Sequence, residues 1–180
     1  MYTKVRITTL IYLNAHSLCD VVNKRDLELT QELLRNVPKI NQTVPNSNRM
    51  FASMTPIILA LKNSIEYGLV SHDLKIITIL LAAKADLNAC ARYSESHTGC
   101  TPLSLTIKAL YYEKNIAAKR SRNKIFNMIE LLITNGAMVN EVYEDIDDNG
   151  IHYPTPLMSA VKIDLFKIVK LLMQKGADPQ

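Results

Sequence analysis

The chain has 180 residues, 48% of them hydrophobic and 21% charged, with a formal net charge of +4. This balance excludes a disordered chain, and no apolar run approaches the roughly 18 residues of a helical membrane span. The charge is too mild to single out nucleic acid, and the odd set of three cysteines points to free thiols in a reducing compartment.

Met1 to Leu13 places Lys4 and Arg6 ahead of a short apolar stretch, but Thr8 and Thr9 dilute it. Residues 1–15 are therefore read as a non-standard cap and not as a leader peptide. His16 to Asn41 predicts a helix pair, its second helix carried by Asp26-Leu27-Glu28 through Leu33-Leu34 and stopped by Pro38. Gln42 to Met54 contains Pro45, Asn46, Ser47 and Asn48, a turn cluster suited to a long hairpin.

Thr55-Pro56 then starts a helix, because Thr caps free N–H groups and Pro tolerates the first helical position. A second helix follows from Asp73, and the pair closes at Lys84-Ala85-Asp86-Leu87-Asn88. Ten residues separate Lys62 from Asp73 where the pattern provides two, with a break at Gly68. Lys84 stands where a left-handed residue, ordinarily glycine, ends the helix. Ala89 to Cys100 reads as another hairpin. Thr101-Pro102-Leu103 opens a third pair, which closes with Met128 to Leu132 and Asn135-Gly136-Ala137. Sixteen residues, Ala109 to Lys124, stand there in place of two. They hold neither Gly nor Pro, so both helices are predicted to run on as a taller finger, basic through Lys114, Lys119, Arg120, Arg122 and Lys124. Glu141 to Pro154 is the acidic counterpart, with Glu141, Glu144, Asp145, Asp147 and Asp148.

The last stretch is the most regular. Leu157 and Ala160 give a short helix one packing face, and a turn falls at Ile163-Asp164. Phe166, Ile168, Val169, Leu171 and Leu172 predict the buried stripe of a longer helix, which Gly176 terminates. Thr-Pro, short helix, turn, longer helix and Gly-Ala-Asp resemble the ankyrin repeat, whose T-P-L-H-x-A signature recurs about every 33 residues. Met158 stands here for the histidine, and Ala160 is the small residue.

The resemblance implies an all-α solenoid of helix-turn-helix units joined by β-hairpins. It implies a single domain over residues 1–180, capped by 1–15, with repeats at about 16–41, 55–88, 101–140 and 155–180. It also implies a monomeric, non-catalytic platform without metal or cofactor, binding a partner protein in a concave groove of hairpins and first helices. By position in the repeat, the groove residues are Met54, Lys62, Asn63, Arg92, Tyr93, Cys100, Lys108, Tyr143, Asp145, Lys162 and Ile163. Lys62, Lys108 and Lys162 share one position near the end of the first helix, with Asn23 and Lys24 at the equivalent place in the first repeat. A lysine row suits an acidic partner surface, although cations are favoured at a helix C-terminus in any case. Solenoids need polar ends, and no capping helix follows Gln180, which predicts either more chain or something that covers the last repeat.

Other motifs are weaker. Asp145-Ile146-Asp147-Asp148-Asn149-Gly150 spells half a calcium loop, but Pro156 holds the place of the bidentate Glu, so a hairpin turn is the better reading. Cys90, Cys100, His97 and His152 lack the spacing of a zinc site, and no nucleophile or phosphate-loop motif occurs. The basic finger, with Tyr111 and Tyr112 beside it, leaves nucleic acid or an anionic membrane as a secondary alternative. The first alternative is a targeting module of a larger protein whose activity lies elsewhere. The irregular linkers and insertions look like those of ankyrin proteins from intracellular bacteria or viruses. They suggest a host-directed effector, cytoplasmic or delivered into a host cell.

Overall fold

The computed structural model describes residues 17–36, 40–43, 54–67, 71–91, 100–112, 119–142 and 155–179. Eight helices lie among the described residues, in four pairs: α1 (Leu18–Asn23) with α2 (Leu27–Asn36), α3 (Pro56–Glu66) with α4 (Ser71–Ala82), α5 (Pro102–Tyr112) with α6 (Lys119–Thr134), and α7 (Pro156–Lys162) with α8 (Phe166–Gln174). No strand occurs among them, and the fold is an all-α solenoid. The first helices form one row, α1 on α3, α3 on α5 and α5 on α7, while α2 packs on α4 in a second row.

Local chemistry sets the helix starts. Thr155 accepts the Met158 N–H at 3.2 Å, with Pro156 at the first helical position. Thr101 accepts the Ser104 N–H at 3.3 Å. Thr55 makes no such bond, and its buried hydroxyl has no hydrogen-bond partner. The first repeat has no Thr-Pro and starts on Ser17 instead. The Ser17 hydroxyl accepts the Asp20 N–H at 3.1 Å and the Asp20 carboxylate accepts the Ser17 N–H at 3.1 Å, a reciprocal capping box. Helix ends follow the expected chemistry too: Gly136 and Gly176 take φ of +101° and +85°, and Lys84 takes +66° in the equivalent place.

Between its two helices, a repeat without an insertion needs a second left-handed residue. Arg25 (φ +61°) and Asp164 (φ +54°) supply it in the first and last repeats. In the middle repeats the chain between the helices is longer. α3 continues to Glu66 and α4 begins at Ser71, ahead of Asp73. α5 continues to Tyr112 and α6 begins at Lys119, so both helices of the third pair run into the inserted stretch.

Each second helix anchors through one leucine, Leu33, Leu80, Leu132 and Leu172, all buried. Truncating such a side chain to Ala costs about 2–5 kcal/mol. Asparagines then join each repeat to the next. Asn41 Oδ1 accepts the Asp86 N–H at 2.8 Å, Asn88 Oδ1 the Met138 N–H at 2.9 Å, and Asn140 Oδ1 the Asp178 N–H at 2.8 Å. The amide nitrogens of Asn88 and Asn140 donate to the Gly136 and Gly176 carbonyls at 3.4 and 3.0 Å.

The expected buried stripe of the last helix requires one correction: Ile168, Leu171 and Leu172 are buried, but Phe166 is exposed. Of the predicted hairpins, the base of one is described: Ala91 and Cys100 exchange backbone hydrogen bonds at 3.0 and 2.9 Å. The proposed N-terminal cap, the hairpin tips and the calcium-like loop lie outside the described residues.

Candidate protein-binding face

Lys62 on α3, Lys108 on α5 and Lys162 on α7 occupy one position on consecutive, mutually packed first helices. Packed helices lie about 8–10 Å apart, which sets the spacing of the row. Lys62 and Lys108 are half-buried and Lys162 is exposed. Lys62 Nζ lies 2.9 Å from Glu66 Oε2, an i,i+4 surface pair worth little and readily exchanged for a partner carboxylate. Asn23, in the first repeat, is exposed.

Other members of the expected groove lie elsewhere. Met54, Asn63, Cys100 and Ile163 are buried and have no side-chain surface to offer a partner. Asn63 Nδ2 points back at the Val22 and Asn23 carbonyls, at 3.4 and 3.5 Å. The Cys100 backbone closes the hairpin base. Arg92, Tyr93, Tyr143 and Asp145 lie outside the described residues. So does Lys114 of the basic finger. Lys119 and Arg120 sit in the first turn of α6, and Arg122 and Lys124 are exposed on it.

A charged cluster that carried no motif joins the first two repeats. Arg25 Nε and Nη2 donate to the two carboxylate oxygens of Asp73 at 2.7 and 2.8 Å, and its guanidinium stacks 4.9 Å from the Tyr67 ring centroid. The Asp73 side chain is 2% exposed and that of Arg25 29%. Hydrogen bonding to this carboxylate holds the Arg25 pKa above its ordinary value. His72 Nε2 lies 2.9 Å from the Arg25 carbonyl oxygen.

No disulfide joins the three cysteines; Cys19 and Cys100 are buried and Cys90 is exposed. The Cys19 thiol donates to the Gln42 carbonyl at 3.1 Å, and burial, with the Asp20 charge adding to it, pushes its pKa up to about 12. Among the described residues no three His, Cys, Asp or Glu side chains converge as a metal site would need, and no helix is long and apolar enough to cross a membrane.

Four helix pairs in common register, each stapled to the next, define a stacked repeat protein. The family model described as Ankyrin repeat matches residues 155–180. The matched unit is the last helix pair of this row, α7 with α8. Two solved structures are similar. The crystal structure of EF0377, an ankyrin repeat protein, is 24% identical with a TM-score of 0.40, covering 89% of this chain and 81% of that one. An ankyrin repeat domain from Acinetobacter baumannii AYE is 20% identical with a TM-score of 0.33, covering 89% and 98%. No curated protein matches the sequence. Ankyrin repeats are in general modules of protein–protein interaction, and their fold is typically non-catalytic.

Proposed function

We propose that the four repeats act as one non-catalytic interaction domain that holds a partner protein against the row of first helices. The observation that carries this reading is the recurrence of lysine at one position of α3, α5 and α7. Three cations at regular spacing favour an acidic partner surface, because opposed charges speed encounter and fix register. The odd number of cysteines, three, supports a reducing, cytoplasmic setting. The two long insertions support a host-directed role. Affinity capture from host-cell lysate tests the proposal, with wild type beside a Lys62→Glu/Lys108→Glu/Lys162→Glu variant shown by circular dichroism to be folded. A partner retained by wild type and lost by the variant is the expected result. A partner retained equally by both would remove the lysine row from recognition.

One observation favours a second reading. Arg122 and Lys124 are exposed near the start of α6, where Lys119 and Arg120 also lie. A cationic helix start is a poor place for positive charge by dipole alone, so contact with an anionic polymer or membrane would give it a use. Salt-dependent retention on heparin, abolished by Arg122→Glu/Lys124→Glu, is the result that reading requires.

A further inference from the structure

The end of the third repeat places together two groups that can react with each other. Asn135 directly follows α6 and precedes Gly136, and both are exposed to water. A side-chain amide followed by glycine is open to attack by the next backbone nitrogen, because no Cβ crowds the approach. Asparagine is accordingly among the thermolabile residues. The second and fourth repeats lack the pair at this place: Ala83 precedes Lys84, and Lys175 precedes Gly176. In the first repeat Asn36 follows its anchoring leucine at the same distance and makes the same cap, its Nδ2 donating to the Glu32 carbonyl at 2.8 Å. Val37 comes next there, with a branched and stiff side chain in place of glycine. Asn149-Gly150, the same dipeptide, lies outside the described residues.

In the folded chain both reacting groups are held. Asn135 Nδ2 donates to the Leu131 carbonyl at 2.8 Å, and the Gly136 N–H to the Ile133 carbonyl at 3.1 Å. The junction with the second repeat fixes the backbone just beyond them. Asn88 Nδ2 donates to the Gly136 carbonyl at 3.4 Å, and Asn88 Oδ1 accepts the Met138 N–H at 2.9 Å. Between these, the Ala137 N–H donates to the Leu132 carbonyl at 3.0 Å. Cyclisation turns the Gly136 nitrogen onto the Asn135 side chain, so this stretch must open first.

We propose that Asn135-Gly136 is a site of self-modification whose rate is set by opening of the junction between the second and third repeats. The Gly136 nitrogen bonds to Asn135 Cγ as the Cγ–Nδ2 bond breaks, and the proton of that nitrogen leaves with ammonia. Water then opens the cyclic imide at one carbonyl or the other, giving aspartate or isoaspartate. Either product puts a negative charge where a helix end favours a positive one, and has lost the Asn135 Nδ2 donor. Isoaspartate also lengthens the backbone by a methylene just ahead of the carbonyl that Asn88 holds. The junction then closes less well, so conversion records its opening irreversibly.

The test uses the full chain in mildly alkaline buffer made with heavy-oxygen water, so that peptide mass spectrometry counts only conversion during the incubation. Native protein is compared with protein in urea, and wild type with Asn88→Ala and Asn140→Ala, each shown by circular dichroism to be folded. In urea Asn135 is expected to convert as Asn149 does, and faster than Asn36. In native wild type Asn135 is expected to convert at least about tenfold more slowly than in urea. Asn88→Ala is expected to speed the native reaction about fivefold. Asn140→Ala, which loosens the junction on the other side of the third repeat, is expected to leave it within about twofold. Converted chain, separated by ion exchange, is expected to melt at a lower temperature. Failure of Asn135 to convert in urea would overturn the proposal, as would native conversion at the urea rate. So would equal acceleration by the two changes, no acceleration by Asn88→Ala, or converted chain that melts like the unconverted.

Discussion

Lys84 holds a left-handed backbone where the next two repeats place glycine. An L side chain pays roughly 1–2 kcal/mol for that conformation, partly offset because glycine frees the unfolded chain. Lys84→Gly is expected to stabilise the protein by roughly 0.5–1 kcal/mol in urea unfolding, and Gly136→Ala to destabilise it by about 1 kcal/mol. The glycine change acts through backbone alone, since a Cβ at Gly136 would meet nothing within 4 Å. Arg25 belongs to the same scale. Arg25→Met leaves the Asp73 carboxylate inside without its bidentate partner. The loss is expected to be about 2 kcal/mol, below that for a fully buried pair because the Arg25 side chain is 29% exposed. Cys19 sets an alkaline limit. Its folded pKa of about 12 lies above the ordinary 9.0, so between these values the unfolded chain has released a proton that the folded chain retains. Stability from this thiol is complete below pH 9.0 and is lost as pH rises toward 12. The melting temperature of wild type is expected to fall more steeply above pH 9 than that of Cys19→Ala.

The helix pair and its junctions are the next scale. Each Asn at the end of a repeat receives an N–H from the next repeat, and two of them also donate a bond to it. Asn88→Ala and Asn140→Ala are each expected to cost about 1 kcal/mol, and their effects to add, because they join different pairs of repeats. Thr-Pro starts and Gly-Ala ends were legible in the sequence because a cap is a local device, carried by residues three or four apart. The Ser17 box was equally local: Ser17-Leu18-Cys19-Asp20 spells it, without the Thr-Pro that marks the other starts. Orientation around a helix was harder to read. One residue turns the side chain by about 100°, so position in the repeat does not separate Lys62 from the buried Asn63, or Lys162 from the buried Ile163. The Arg25–Asp73 pair spans 48 residues and leaves no local signature at all.

At the scale of the whole molecule, stability is a sum of repeats and the interfaces between them. Phe166 shows how this limits sequence reading: periodicity marks it as apolar, but its exposure depends on whether a neighbour is present. Binding follows the same logic, since a row exists only when several repeats stack in register. Lys62, Lys108 and Lys162 become one surface through the packing of α3, α5 and α7, although each alone reads as an ordinary cation near a helix end. Contact between this row and the partner is read from lysine acetylation followed by mass spectrometry, with and without the captured partner bound. Slower modification is expected at Lys62, Lys108 and Lys162, with Lys75 and Lys124 on the second helices unchanged. Protection confined to the second helices, with the row modified at its free rate, would contradict it.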